Sequence, residues 1–248
     1  MALFDSIRLG SSAAGDYEIE RSLRFNDDDS AQLTRTPSSN GNLYTYTISV
    51  WVKRSNLDSS GLRTIFGVGT GTAGDTTHFS FYQDKIAASF NDGTAFIAST
   101  DVFRDTTAWY HFVWKIDGTQ ATASNRTKMY VNNREITSFS SSTYQAQNYG
   151  YQLNGTNPHY IGCRYRTGLD SFFDGYIAEF NFIDGQALTP SSFAETDAVT
   201  GEYKPKKYAG SYGTNGFYLN FSDNSGTTAT TLGKDSSGNG HNFTPNNF

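Results

Sequence analysis

The stretch from Trp109 to Pro190 constrains the fold more than any other part of the sequence, because short segments with alternating apolar residues follow one another through it. Apolar residues at every second position place their side chains on one face of a β-strand. The two clearest sets are Tyr110, Phe112, Trp114 and Ile116, and Tyr176, Ala178, Phe180 and Phe182. We therefore expect strands that each bury one face.

The composition of the whole chain also favours an all-β protein. Aromatic residues make up 15% of the 248 residues, and charged residues make up only 17%. Turn signals such as Asp117 followed by Gly118 separate the apolar runs, and long stretches with apolar residues at helical spacing are hard to find. At this length we predict one two-sheet antiparallel β-sandwich with appended segments, since such sandwiches reach this size.

Four motifs follow one another in a recognisable order within this stretch. They are Trp109-x-His111 with Asp117 and Gly118, then Tyr130-Val131-Asn132, then Ile161-Gly162, then Phe173-Asp174-Gly175-x-Ile177-x-Glu179 leading to Leu188. This order resembles the laminin-G and pentraxin-like branch of the concanavalin A-like lectin/glucanase superfamily. With opening segments at Leu23 and Ile48, the resemblance covers about residues 20 to 195 and implies a jelly-roll sandwich.

Charge and hydropathy exclude some classes of partner. The formal net charge of −5 argues against affinity that comes from neutralising phosphates, so we expect no nucleic-acid partner. No apolar run approaches the length of a membrane span, and the first residues lack the basic start and apolar centre of a secretory signal. Cys163 is the only cysteine and alternates with Ile161, which predicts an inert buried thiol.

The chain divides into three zones. Residues 1–21 form an N-terminal arm, residues 22–195 carry the sandwich, and residues 196–248 form a Gly/Ser/Asn-rich C-terminal segment. The last zone has three interpretations: strands that complete the sandwich, a remnant of a following repeat, or a linker into a longer polypeptide. The alternation of Phe217, Leu219 and Phe221 favours the first.

The N-terminal arm has the pattern of a docking segment. It combines a flexible Gly/Ser/Ala stretch with four apolar residues, Leu3, Phe4, Ile7 and Leu9. A segment this short cannot bury those side chains by itself. We expect it to bind another subunit.

Several phrases resemble proteins of marine tailed bacteriophages. They begin at Arg21 (RSLRFN), Trp51 (WVKRSN), Gly210 (GSYGTNGFYL) and Lys234 (KDSSGNG). The resemblance implies a tail fibre, tail adaptor or capsid-decorating subunit on the virion surface, made in the host cytoplasm and forming a homo-oligomer. Its expected partners are other virion proteins, through the arm, and a host-surface glycan. A free-standing carbohydrate-binding module is the main alternative, and a degenerate glycoside hydrolase is the third.

The sequence favours a protein without enzymatic activity. Glycoside hydrolysis needs two carboxyl groups flanking one bond, and the Glu-x-Asp-x-x-Glu type ladder of the superfamily's glucanases is absent. Glu179 lies opposite the alternating aromatic face, so we expect it to face solvent or pair with an arginine. The four histidines show no metal-ligand or triad spacing, and His111 is expected to have a structural or hydrogen-bonding role.

Calcium is the cofactor that the resemblance implies, because many relatives bind it at the sandwich rim through loop oxygens. Ca²⁺ prefers six to eight oxygen ligands, and the candidates here are Asp117, Asp170 and Asp174. The alternative is that these aspartates cap amide groups in local turns.

Tyrosines in the expected loops are the candidate ligand-binding residues. Aromatic rings form platforms for sugar rings, although loop tyrosines also build protein interfaces. The candidates are Tyr144, Tyr149, Tyr151 and Tyr165. Trp114 is instead expected in the core, and Trp51 resembles the packed tryptophan of the family's second strand.

Overall fold

The computed structural model describes residues 17–248. Within them the chain forms short strands joined by turns and two single-turn 3₁₀ helices, Ala123–Asn125 and Pro190–Ser192. The strands are β1 (Leu23–Phe25), β2 (Gln32–Arg35), β3 (Thr45–Arg54), β4 (Leu62–Val68), β5 (Thr77–Tyr82), β6 (Lys85–Phe90), β7 (Ala95–Val102), β8 (Tyr110–Asp117), β9 (Thr127–Val131), β10 (Arg134–Glu135), β11 (Phe139–Thr143), β12 (His159–Ile161), β13 (Arg164–Tyr165), β14 (Leu169–Asp170), β15 (Gly175–Asp184), β16 (Ala194–Thr196), β17 (Tyr203–Pro205), β18 (Phe217–Leu219) and β19 (Thr244–Asn246).

Two main sheets form the sandwich. The first has the order β1-β15-β3-β8-β9-β10, with β18 also paired to β15, and the second has the order β11-β7-β6-β5-β4-β12-β2-β19. Two small hairpins, β13–β14 and β16–β17, lie outside them. Every strand pair within residues 17–248 is antiparallel. The predicted all-β, two-sheet antiparallel sandwich is confirmed.

The core lies between the two sheets and is rich in aromatic rings. Strand β8 contributes Phe112 and Trp114 from the first sheet, and β5 contributes Phe79 and Phe81 from the second. Edge-to-face contacts join the sheets, with ring centroids 5.4 Å apart for Phe79 and Trp114 and 5.6 Å apart for Phe81 and Phe112. Tyr110 is half-buried at the edge of this core.

A bulge in β15 divides the face that the sequence predicts to be continuous. The register leaves Glu179 and Phe180 opposite the single residue Val50, and Glu179 has a positive φ of 50°. Beyond the bulge Phe180 and Phe182 are buried, whereas Tyr176 before it is 36% exposed. The predicted inward orientation of Tyr176 is therefore wrong, because one extra residue moves the side chains before it to the other face.

The C-terminal segment adds a strand to each main sheet. Strand β18 pairs with β15, and β19 pairs with β2. Phe217, Leu219 and Phe243 are buried in the shared core. Between the strands, the carboxylate of Asp235 accepts a hydrogen bond from the backbone N–H of Tyr218 at 2.9 Å, which ties the connecting loop to β18. In the structure this segment is part of the sandwich.

The outer face of the first sheet is covered by the hairpin β16–β17. The ring of Tyr203 stacks on Trp51 with centroids 5.9 Å apart, and its hydroxyl lies 2.6 Å from Nδ1 of His111. Nε2 of His111 lies 2.8 Å from the hydroxyl of Ser49. His111 is buried, so it has the hydrogen-bonding role expected from the sequence, and Trp51 packs on the outer face of the sheet.

Two further expectations concern Cys163 and the membrane. Cys163 is buried, and burial raises the pKa of its thiol above the ordinary value, as expected of an inert cysteine.

None of the helices within residues 17–248 is long and apolar enough to cross a bilayer.

Candidate functional site

Three loops meet at the end of the first sheet where β3 begins and β8 ends. Thr45 and Asp117 are register partners there. The backbone N–H of Gly118 donates to the carbonyl of Tyr44 at 2.7 Å, and that of Asn148 donates to the carbonyl of Gly118 at 2.9 Å. The turn after β8 is therefore bonded to both the segment before β3 and the loop that follows β11.

Two tyrosines are exposed on these loops. Tyr44 is 39% exposed and Tyr149 is 50% exposed. They lie near one another, since a Cβ atom at Gly150 would stand 3.6 Å from Cε1 of Tyr44. Tyr149 rests on the ring of Tyr151, with centroids 4.7 Å apart, and Tyr151 is itself packed into the core. A buried ring thus supports an exposed one.

Exposed polar side chains lie on the same loops as these two rings. We call the set Tyr44, Thr119, Gln147, Asn148 and Tyr149 the tyrosine rim. The amide of Gln147 donates to the carbonyl of Thr119 at 2.9 Å, which links two of the loops through a side chain.

Asp117 holds the turn in this site. Its carboxylate accepts hydrogen bonds from Thr119 and, at 2.6 Å, from Nε2 of Gln120. Partial burial raises the pKa of Asp117, but these hydrogen bonds outweigh burial and the pKa lies below its ordinary value. Arg126 binds the same loops, because its guanidinium donates to the carbonyls of Gln120 and Gln145 at 2.8 and 2.9 Å.

The chemistry of the tyrosine rim suits a flat ligand that carries hydroxyl groups. A tyrosine ring offers a large apolar contact at a small cost in conformational entropy, and amide side chains both donate and accept hydrogen bonds. The hydrogen bonds among the loops hold these groups in place before a ligand arrives, which lowers the entropy lost on binding.

The structure separates the four tyrosines that the sequence singles out. Tyr149 is exposed, as expected of a binding residue. Tyr151 is 7% exposed, so its predicted exposure is wrong: its ring packs on Phe90 at 5.1 Å. Tyr144 is half-buried against the core. Tyr165 lies in β13 and packs on Tyr160, with ring centroids 5.8 Å apart, rather than at the tyrosine rim.

Tyr44 is a residue of the rim that the sequence reasoning missed. It lies just before β3 and follows Asn40, Gly41 and Asn42, a run typical of loops. An aromatic residue between such a run and a strand is a signal for an exposed ring at a strand end.

The predicted calcium ligands do not come together. Asp170 pairs with Arg164 at 2.6 Å, and Asp174 pairs with Arg24 at 2.5 Å. Within residues 17–248 no group of three or more His, Cys, Asp or Glu side chains is placed to hold a metal ion. This arrangement does not fit a calcium site shared by these aspartates, and Asp117 instead caps its own turn.

Glu179 is also placed differently from the expectation. It is only 7% exposed, and its Oε2 accepts hydrogen bonds from the hydroxyls of Tyr17 and Tyr218, both at 2.6 Å. The predicted solvent-facing or arginine-paired carboxylate is therefore wrong, because the bulge in β15 turns this side chain toward β18 and the segment before β1.

Comparison with known proteins assigns the chain to a family. Residues 25–194 match a laminin-G-type model described as the Concanavalin A-like lectin/glucanases superfamily. The chain belongs to this superfamily. The match runs from the end of β1 to the start of β16 and so includes the tyrosine rim. No curated protein sequence matches the chain significantly.

Solved structures with the same fold are only distantly similar in sequence. A heptameric SAP-like pentraxin from Limulus polyphemus is 14% identical with a TM-score of 0.53, over 77% of this chain and 94% of the pentraxin chain. A candidate carbohydrate-binding protein from Bacteroides ovatus is 15% identical with a TM-score of 0.51, over 90% of this chain and 59% of that one. At this identity the similarity establishes the shared sandwich of the superfamily and nothing finer.

Proposed function

We propose that this superfamily member is a non-enzymatic structural subunit of a phage virion whose sandwich attaches to a host-surface glycan through the tyrosine rim. The observation that carries the proposal is the pair of exposed tyrosines, Tyr44 and Tyr149, on loops that hydrogen bonds join to one another. A sugar ring has an apolar face that packs on a tyrosine ring and edge hydroxyls that pair with amides.

The absence of catalysis is supported by the way nearby carboxylates are used. Asp184, close to the rim, accepts hydrogen bonds from the backbone of Asn42 at 2.8 Å, the amide of Asn154 at 2.6 Å and the backbone of Asn215 at 2.9 Å. Asp117 is engaged by its own turn. Glycoside hydrolysis requires two carboxyl groups free to face one bond. The carboxylates of Asp184 and Asp117 are instead engaged in hydrogen bonds that stabilise the loops.

The virion context rests on the resemblance of the phrases beginning at Arg21, Trp51, Gly210 and Lys234 to marine phage proteins. In this proposal the N-terminal arm, with Leu3, Phe4, Ile7 and Leu9, binds another virion protein. These four residues lie outside the described part of the chain. Copies of the chain assemble as a homo-oligomer, which multiplies the avidity of a weak glycan site.

A glycan microarray with matched tyrosine variants tests the binding site. We expect the wild type to bind a defined subset of bacterial surface glycans. Tyr149→Ala should weaken that binding by about ten-fold, equal to about 1.4 kcal/mol. Tyr176→Ala removes an equally large exposed ring elsewhere on the first sheet, where Arg24 lies over it, and should leave binding unchanged.

The array also distinguishes the proposed function from the alternative functions. Binding that Tyr149→Ala leaves intact would reject the rim as the site, and binding to no glycan would reject the attachment role. Release of reducing ends from a bound glycan during long incubation would reject the non-enzymatic assignment.

A further inference from the structure

A second site is indicated by the backbone at Glu179, away from the tyrosine rim. Glu179 is the extra residue of the β15 bulge and has φ near +50°, a region that residues with a Cβ rarely adopt. Bulges often re-aim a side chain, and strained backbone is concentrated at functional positions. The side chain that this bulge re-aims is a carboxylate.

Three distant segments meet at this carboxylate. Tyr17 comes from the segment before β1, Glu179 from β15 and Tyr218 from β18. Both tyrosine hydroxyls lie 2.6 Å from Oε2 of Glu179, and the two hydroxyl oxygens lie 2.6 Å from each other. Each hydroxyl keeps lone pairs that accept a further hydrogen bond.

The charge of Glu179 is poorly compensated. Within residues 17–248 no cationic side chain forms an ion pair with it, and Lys207 acts on it only at longer range. Burial is the main cause that raises the pKa of Glu179 above its ordinary value, and the tyrosine hydrogen bonds offset only part of this. A buried carboxylate without a cation is costly unless a partner supplies one.

A cleft gives access to this group. It has a volume of about 620 Å³, which lies in the usual range for small-molecule sites. Glu18, Glu20 and Glu179 line it together with Arg21 and Lys207. Among these described residues, carboxylates outnumber cations by three to two.

We propose that this cleft binds the ammonium group of a small ligand, with Glu179 as its counter-ion. A charge-assisted hydrogen bond from N–H to the carboxylate is stronger than a neutral one, and tyrosine rings add attraction for a cation. The hydroxyl oxygen of Tyr17, which also lines the cleft, is a further acceptor, and Tyr218 supports Glu179 from behind. This site is independent of the tyrosine rim and of the virion role.

Ethanolamine and ethylene glycol form a matched pair of probes, because they differ in one ammonium group. NMR of the full chain with ¹³C-labelled tyrosine rings, at constant ionic strength, reports on Tyr17 and Tyr218 directly. We expect ethanolamine to shift these two signals in a saturable manner and ethylene glycol to leave them in place. Equal responses to both probes, or none to ethanolamine, would overturn the proposal.

Two exposed lysines provide variants that do not threaten folding. Lys207→Gln removes a competing cation from the cleft and should strengthen ethanolamine binding about three-fold. Lys206→Gln is the control, because the neighbouring Lys206 side chain is bonded to the carbonyl of Ser191, and it should leave the affinity for ethanolamine unchanged. Glu179→Gln keeps the shape but removes the charge and should weaken binding about ten-fold. Unchanged affinity in Lys207→Gln would contradict the site even if Glu179→Gln failed to fold.

Discussion

Phe112 lies at the centre of the aromatic core. Its ring contacts Phe81 and Phe103, with centroids 5.6 and 5.1 Å away, and also Trp114 at 5.9 Å. The residue is 1% exposed. It therefore joins the two sheets through ring contacts on both sides of the sandwich.

Phe112→Ala should destabilise the fold strongly, because it leaves a cavity between the sheets. We expect a loss of about 3–5 kcal/mol in the free energy of unfolding, measured by denaturant titration. Tyr176→Ala is the control, since that ring points outward, and should cost about 1 kcal/mol or less. A loss below about 1 kcal/mol for Phe112→Ala would count against the core.

Three buried histidines predict acid sensitivity. Burial lowers the pKa of His78 and His111 to about 3 and that of His159 to about 4. A histidine with a lowered pKa binds fewer protons when folded than when unfolded. Its contribution to stability is therefore complete above the unfolded pKa of about 6.5 and is lost as the pH falls below it.

The stability difference between pH 7.5 and pH 5 tests this reasoning. Each of these histidines should lower the free energy of unfolding by up to about 2 kcal/mol over that interval. The raised pKa of Glu179 has the opposite effect, because it increases the free energy of unfolding as the pH falls. One such group does not offset three histidines, so the net change is a loss of stability. Equal or greater stability at pH 5 would contradict the buried neutral histidines.

Residue-level prediction from the sequence succeeded where alternation is unbroken and failed where local geometry intervenes. The faces of β8 were predicted correctly because no bulge interrupts Phe112 and Trp114. Tyr176 and Glu179 were misplaced, because an extra residue in a strand leaves the sequence pattern looking continuous. The predicted exposure of Tyr151 was wrong, because its burial depends on Phe90, far away in the chain.

At the level of elements, β18 and β19 join the C-terminal segment to the two main sheets. Strand β18 lies beside β15 in the first sheet, and β19 lies beside β2 in the second. The ring of Phe217 packs on Phe243 with centroids 4.6 Å apart and on Phe180 at 5.6 Å. The sequence pattern at Phe217 and Leu219 favoured this outcome, but the partner strands could not be derived from it, since pairing depends on long-range contacts.

Truncation after residue 195 should prevent cooperative folding. The shortened chain loses both strands and exposes the core around Phe180 and Phe66, which Phe217 covers. We expect the full chain to unfold in one sharp thermal transition and the chain of residues 1–195 to show none. A truncated protein that melts cooperatively near the temperature of the full chain would show that the last strands are accessory.

At the scale of the whole molecule, the proposed function gives the sandwich and the N-terminal arm separate tasks. The described fold begins at residue 17, and Tyr17 is already bonded to Glu179. The predicted docking residues Leu3, Phe4, Ile7 and Leu9 precede it. The family, the two-sheet antiparallel sandwich and most of the core followed from sequence patterns. A partner for the proposed docking arm could not be derived from them, because docking depends on the surface of another protein.

Deletion of residues 2–15 tests this division of tasks. We expect the melting temperature of the isolated protein to stay within about 2 °C, since no described contact of Tyr17 is removed, while incorporation into phage particles is lost. Quantitative mass spectrometry of purified particles measures the second effect. Normal occupancy of the truncated protein would assign the anchor to the sandwich instead.

Chemical-shift mapping of an oligosaccharide selected from the glycan array tests the central claim most directly. The account predicts that the bound sugar shifts the signals of Tyr44, Tyr149 and the side-chain amides of Gln147 and Asn148, while those of Tyr165 and Tyr176 stay unchanged. Shifts confined to Tyr165 and its hairpin, with the tyrosine rim unaffected, would contradict it.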